Sequence, residues 1–257
     1  MKKITTLILG LCVVAAGCSS DDEGNNASKC FKTTRVDMGC ASDTIKIQSQ
    51  QKGWKLDNIV VDGVNFKAEG EKGRYEKNFA WLTLKCSDDD ITLITTDNYG
   101  KERSFEMQVT TEAGDKQTIS GTQEEAEEGD IMAGDWSDCI HMSMKEGVFG
   151  AAGETFTINT NEEDGRWWFQ EIHIYNNYEN FKAYKADFLY YPITPEEVEY
   201  SNDNYFEKSL EWVHVKRDVH DLHVTLDANT SGKVRYFKLL LEAGDYFGWF
   251  RGCQSAE

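Results

Sequence analysis

Residues 81–123 read WLTLKCSDDDITLITTDNYGKERSFEMQVTTEAGDKQTISGTQ, and residues 212–254 read WVHVKRDVHDLHVTLDANTSGKVRYFKLLLEAGDYFGWFRGCQ. The two stretches have equal length and the same landmarks in the same order, at offsets that agree to within one residue. Each opens on a Trp (Trp81, Trp212), carries an Asn at the same offset (Asn98, Asn229), follows it with an Arg (Arg103, Arg235) and closes on a Gln (Gln123, Gln254). "EAGD" recurs at 112–115 and 242–245. Chance likeness between alternating segments does not produce a shared spacing over such a length, so a duplicated unit is the expectation.

The match extends upstream. "CASDTIKIQSQQKGWKLDNIVVDG" faces "GAAGETFTINTNEEDGRWWFQEIHIYN", with Trp54 opposite Trp167, Leu56 opposite Phe169, Ile59 opposite Ile172 and Val61 opposite Ile174. Apolar and polar residues alternate in 43–49, 81–85, 90–96, 104–111, 154–160, 170–176, 221–228 and 234–243, the period of strands half-buried in a sheet. Turn residues separate them, and helical periodicity is never sustained. "TPEEVEY" (194–200) offers one helical turn at most, with Thr194 as cap and Pro195 at the first position. The expected fold is all-β: two tandem immunoglobulin-like sandwiches, 29–124 and 131–257, joined by the acidic linker 125–130. Trp54, Trp81, Trp167 and Trp212 recur in both copies on the inward phase, which assigns them to the core.

Differences between the copies point to recognition. When the last strands are aligned, Ile119 and Phe250 share the inward phase, and Thr118 and Trp249 share the outward one. Trp168 likewise takes the outward position of Lys55. Exposed aromatic faces stack on the C–H faces of sugars, so Trp168 and Trp249 are ligand candidates, with packing against the other domain or against the insertion as the competing role. The second copy also carries an insertion, "NNYENFKAYKADFLYYPITPEEVEYSNDNYF", whose Tyr184, Tyr190 and Tyr191 join the candidates. It reads either as a binding groove or as a lid over the sheet.

The remaining chemistry is sparse. Net charge is −18, which repels nucleic acid and anionic lipid surfaces and removes both as partners. His220 and His223 of "HDLH" fall on opposite faces of an extended chain, and "CSDDDI" (86–91) lacks the spacing of a dedicated calcium loop, so no metal and no cofactor is expected. No G-x-S-x-G, H-E-x-x-H or phosphate-binding glycine loop is present, so no enzyme is expected.

The N-terminus supplies an address. Lys2 and Lys3 precede a short apolar run, and Ala15, Ala16 and Gly17 precede Cys18, which makes residues 1–17 a signal peptide. The small-residue triplet before Cys18 resembles the lipobox of bacterial lipoproteins. That resemblance implies a lipid anchor in the membrane on Cys18, ahead of a polar tether over 18–28. "SSDDE" beyond it looks like the acidic export signal of Bacteroidetes-type surface lipoproteins, which implies an outer-membrane protein exposed at the cell surface. A plain solvated tether is the alternative. An exported chain can form disulfides. Cys139 precedes the first strand of the second copy and Cys253 lies in its last, which makes a Cys139–Cys253 bridge an expectation.

Gly-Trp at a strand end, Trp–Leu/Val-x-Val/Leu, the turn Asn, the following Arg and the terminal Gln together resemble the BACON domain, an immunoglobulin-like sandwich of Bacteroidetes surface proteins. The second copy carries the pattern better. The first departs from it at "YGKE" and at Thr118 and Ile119. The resemblance implies glycan or mucin binding, or a spacer. The expectation is a non-catalytic glycan-binding lipoprotein, with a structural or protein-interaction component of an outer-membrane complex as the alternative.

Overall fold

The computed structural model describes residues 29–67, 73–98, 100–125, 142–160, 167–190, 205–243 and 246–257. The signal peptide, Cys18, the tether, the linker acids from 126 on, Cys139, Tyr191 and the 194–200 turn lie outside the described residues.

Two β-sandwiches follow one another. The first is built from β1 (Arg35–Met38), β2 (Thr44–Gln48), β3 (Lys55–Val61), β4 (Val64–Lys67), β5 (Tyr75–Phe79), β6 (Leu82–Cys86), β7 (Asp90–Thr95), β8 (Arg103–Thr110) and β9 (Lys116–Gln123). The second is built from β10 (Glu146–Phe149), β11 (Glu154–Asn159), β12 (Trp168–Tyr175), β13 (Asp187–Tyr190), β14 (Tyr205–Leu210), β15 (Val213–Asp218), β16 (Asp221–Leu226), β17 (Arg235–Ala243) and β18 (Tyr246–Gln254), with the short helix α1 (Tyr178–Lys182) inserted before β13. The sheets are β1-β9-β8-β3-β4 over β2-β7-β6-β5, and β10-β18-β17-β12-β13 over β11-β16-β15-β14. Strand for strand the topology is the same, down to the parallel pairing of β1 with β9 and of β10 with β18.

The repeat extends to single bonds. β3 and β12 each bulge one residue past the start of the strand, between Leu56 and Asn58 and between Phe169 and Glu171. Inward phases bury Ile91, Leu93, Phe105, Met107 and Val109 in one copy and Leu222, Val224, Phe237, Leu239 and Leu241 in the other. Each such side chain contributes about 1.5–3 kcal/mol of transfer free energy. All four recurrent tryptophans are buried. Asn98 donates to the carbonyls of Lys101 and Glu124, and Asn229 to those of Lys233 and Ser255, so each asparagine ties its turn to the exit of the last strand. Gly121 and Gly252 leave room for the rings of Phe105 and Phe237. A Cβ at Gly252 would lie 2.2 Å from the Phe237 ring.

The sandwiches meet through aromatic side chains of the second and a hairpin of the first. Tyr175, Tyr236 and Cys253 join the core cluster that holds Phe79 and Ala80, with Tyr178 and Phe181 packed against it. The Tyr236 hydroxyl donates to the carbonyl of Asn78 at 3.3 Å, and the Tyr178 hydroxyl to Glu76 at 2.8 Å. Arg103 reaches across to Glu146 at 3.2 Å. Cys253 is a buried free thiol at this junction, and burial pushes its pKa up. The expected bridge to Cys139 involves a residue outside the described ones.

Candidate functional site

The outer face of the sheet β10-β18-β17-β12-β13 gathers the outward aromatics. Register places Trp249 beside Leu240, Leu240 beside Glu171, and Glu171 beside Tyr190. The next row runs Arg251, Lys238, His173, Phe188. A third runs Phe247, Glu242, Trp168. Three strand spacings separate β18 from β13, about 14 Å.

Among the described residues the exposed large hydrophobics are Tyr184 (75% exposed), Phe188 (56%), Tyr190 (53%) and Phe247 (48%). Three of the four stand on strands of this face, and Tyr184 leans over it from the segment after α1. Trp168 and Trp249 are half-buried. Trp249 meets the His173 ring edge-on, centroids 5.3 Å apart, and Phe188 lies 5.0 Å from the same ring. The imidazole of His173 bonds to Glu171, and Gln170 donates to Glu242. The face is therefore a set of ring surfaces with carboxylates and basic groups between them.

Asn177 caps α1 by accepting from the Asn180 backbone, and the helix ends after one turn. Tyr184 follows in the left-handed region, φ 54°, a conformation that costs a non-glycine residue about 1–2 kcal/mol. It sets the Tyr184 ring 4.1 Å from Nζ of Lys238, with Phe181 at 4.6 Å and Tyr175 at 5.7 Å. Burial, followed by the nearby Arg251, lowers the Lys238 pKa to about 8.

The structure thus brings Trp168, Trp249, Tyr184 and Tyr190 to one surface, while Tyr191 lies outside the described residues. The insertion divides: Tyr178 and Phe181 pack at the junction of the sandwiches, whereas Tyr184, Phe188 and Tyr190 face solvent. The sequence comparison singled out Trp249 and Trp168 but passed over Leu240, Phe247, Lys238 and Arg251. Comparing every outward position would have found them. Where the second copy has Trp168, Phe188, Tyr190, Leu240, Phe247 and Trp249, the equivalent register positions of the first hold Lys55, Asn65, Lys67, Gln108, Lys116 and Thr118.

Elsewhere the chemistry is structural. No group of three His, Cys, Asp or Glu among the described residues is placed to hold a metal. His223 bonds to Thr157, and the Ser87 hydroxyl accepts from the amides of Asp89 and Asp90 in the acidic turn. No helix among the described residues is long and apolar enough to cross a membrane. A recess of about 330 Å³ lies on the first sandwich, beside Arg74, Lys85 and Asp90.

No protein-family model matches this sequence, and no curated protein matches it. Among solved structures, the chain is similar to a protein from Bacteroides thetaiotaomicron determined by NMR, at 17% identity over 43% of this chain and 99% of that one, TM-score 0.33. It is similar to a chimeric titin Z1Z2-Z1Z2 tandem, at 9% identity over 90% of this chain and 97% of that one, TM-score 0.27. A Bacteroides ovatus GH5 xyloglucanase in complex with a XXXG heptasaccharide matches at 10% identity, over 36% of this chain and 17% of that one, TM-score 0.23. These likenesses are too remote to carry function.

Proposed function

We propose that this chain is a non-catalytic binding lipoprotein, anchored through Cys18 to the outer membrane and displayed at the cell surface, whose second sandwich, of BACON type, holds a glycan across its outer aromatic face. The reading rests on one observation. At six equivalent outward positions the first copy is polar and the second is aromatic or aliphatic. The fold itself demands neither set, because both copies share topology, bulge and core. Large apolar groups left on a surface mark an interaction site. Flat rings spaced along strands, with Glu171, Glu242, Lys238 and Arg251 between them, suit sugars, which offer C–H faces for stacking and hydroxyls for hydrogen bonds.

The test is affinity electrophoresis of the whole chain through gels that contain polysaccharides or mucin, comparing wild type with Trp249→Ala. Trp249 is half-buried on the outer face, so its truncation leaves the core intact. Retention of the wild type and its loss in the variant is the expected result. No retention on any glycan would favour a protein-interaction component of an outer-membrane complex, and pull-down from membranes would follow.

A further inference from the structure

Lys238 is the least expected group on this face. It sits mid-strand in β17, and only 6% of its surface is exposed. Its ammonium is ringed by Tyr184, Phe181 and Tyr175. Aromatic faces attract a cation, by about 0.5–2 kcal/mol, but they satisfy none of its three N–H donors. No carboxylate or other acceptor among the described residues takes a hydrogen bond from it. An ammonium largely shielded from water and without a hydrogen-bond partner is costly to keep.

The neighbours increase the imbalance. Arg251 lies directly opposite Lys238 on β18, and His173 lies opposite it on β12. The carboxylate near Arg251 is Glu146, 3.7 Å away, and that group is held closer by Arg103, at 3.2 Å. Glu171 is turned to His173 and Glu242 to Gln170. Lys238 and Arg251 therefore form a basic patch in which Lys238 has no carboxylate partner and Arg251 shares one, in a chain of net charge −18. In the first copy the same two register positions are Glu106 and Ser120, so the patch belongs to the aromatic copy alone.

Resting on the glycan reading of this face, we infer that its ligand is an acidic polysaccharide, with a carboxylate or sulfate group seated between Lys238 and Arg251 while the sugar rings stack on Trp249 and its aromatic neighbours. The anion supplies the acceptor that the ammonium lacks. Arg251, half-exposed, offers the fork that a planar carboxylate or a sulfate can engage at two points.

The experiment uses paired probes on the whole chain. Dextran sulfate is compared with dextran, and polygalacturonate with its methyl ester, so that each pair differs only in the charged group. Wild type, Lys238→Met, Arg251→Gln and Trp249→Ala are run against all four. Methionine fits an apolar cage, and a thermal melt verifies that each variant is folded. The expected result is retention on dextran sulfate, polygalacturonate or both, weakened by added salt. Affinity should fall about tenfold or more in Lys238→Met and less in Arg251→Gln. The retained pair identifies sulfate or carboxylate as the group recognised. Equal retention on charged and neutral partners, unchanged by Lys238→Met, overturns this inference and leaves the glycan reading standing. Retention on no polysaccharide, neutral or charged, overturns both.

Discussion

Removing the Glu146 side chain should loosen the junction between the two sandwiches, and the duplicated architecture allows the size of the effect to be worked out. Arg103 and Glu146 form an ion pair whose side chains are only 13% and 6% exposed. Burial lowers the Arg103 pKa, and the charge of Glu146 opposes that shift most strongly. Glu146 also accepts from the Thr96 hydroxyl. Stripping one partner from a buried pair costs about 3–5 kcal/mol, because the other charge is left stranded. Arg103 has a refuge, however. Its equivalent in the second sandwich, Arg235, donates to Gln254 at 2.9 Å and to the Asp227 carbonyl at 2.7 Å. The matching acceptor in the first sandwich, Oε1 of Gln123, is buried without a partner. In Glu146→Ala, Arg103 can turn back to Gln123 and recover about 1 kcal/mol. The expected net loss is about 2–4 kcal/mol, read by urea denaturation with tryptophan fluorescence. The melt should broaden or split as the sandwiches uncouple. A double-mutant cycle with Arg103→Met should give a coupling of about 1–2 kcal/mol. A loss below about 0.5 kcal/mol, or additive single variants, would refute the view that this pair locks the junction.

Two further outcomes follow from packing and charge. Gly252→Val should cost about 1–3 kcal/mol by overpacking against Phe237, whereas Gly150→Ala, where a Cβ meets open space, should leave the melting temperature unchanged; equal effects in the two would remove the packing argument. Lys238→Met should raise the melting temperature at pH 7, since the folded-state pKa of about 8 lies below the ordinary lysine value and the charged form is the one that folding disfavours. This penalty is fully present below pH 8 and fades as pH rises toward the unfolded value near 10.4. The groups facing the ammonium are Arg251 and His173 across the sheet, Tyr175 on β12, and Phe181 and Tyr184 above; Tyr175 is pushed up to about 12 and stays neutral in this window. Melts from pH 7 to pH 10 should show the variant's advantage shrinking, and a constant difference would count against the assignment.

The strands with a buried phase were legible in the sequence for a simple reason. In β7, β8, β16 and β17, period-two alternation records one face in the core, and the structure puts Ile91, Leu93, Phe105, Met107 and their counterparts there. Edge strands gave a weaker signal. β13 buries none of its residues fully, so its alternation carries little contrast. The helix α1 is a single turn whose cue, Asn177 three residues before Asn180, is common in loops that form no helix. The junction could not be read at all, because Arg103 and Glu146 belong to different units and each looks like an ordinary surface charge. Its trace lay in the repeat: both copies keep Arg and Gln, but only one of the two arginines satisfies its glutamine.

A duplicated fold also carries its own control, and this strengthens the case for the aromatic face. Equivalent positions in the two copies have the same backbone environment, so a side chain that one copy lacks is not required for folding. Five of the six apolar side chains, all but the buried Leu240, reach solvent on this sheet, and that carries a cost. They invite association, most of all at β13, an edge strand with Phe188 and Tyr190 exposed. Tyr184 adds a left-handed backbone, and Lys238 adds a desolvated charge. In the first copy, Lys67 and Lys116 show how the same face looks without these burdens. Destabilising features that converge on one surface, in one copy, beside a sibling whose equivalent positions are polar, are expected where function outweighs stability. The same contrast orders the experiments. Charge-neutralising and ring-deleting variants on this face should leave the fold as stable or more so while binding is lost, and the reverse pattern, stability lost with binding intact, would make the face a packing surface.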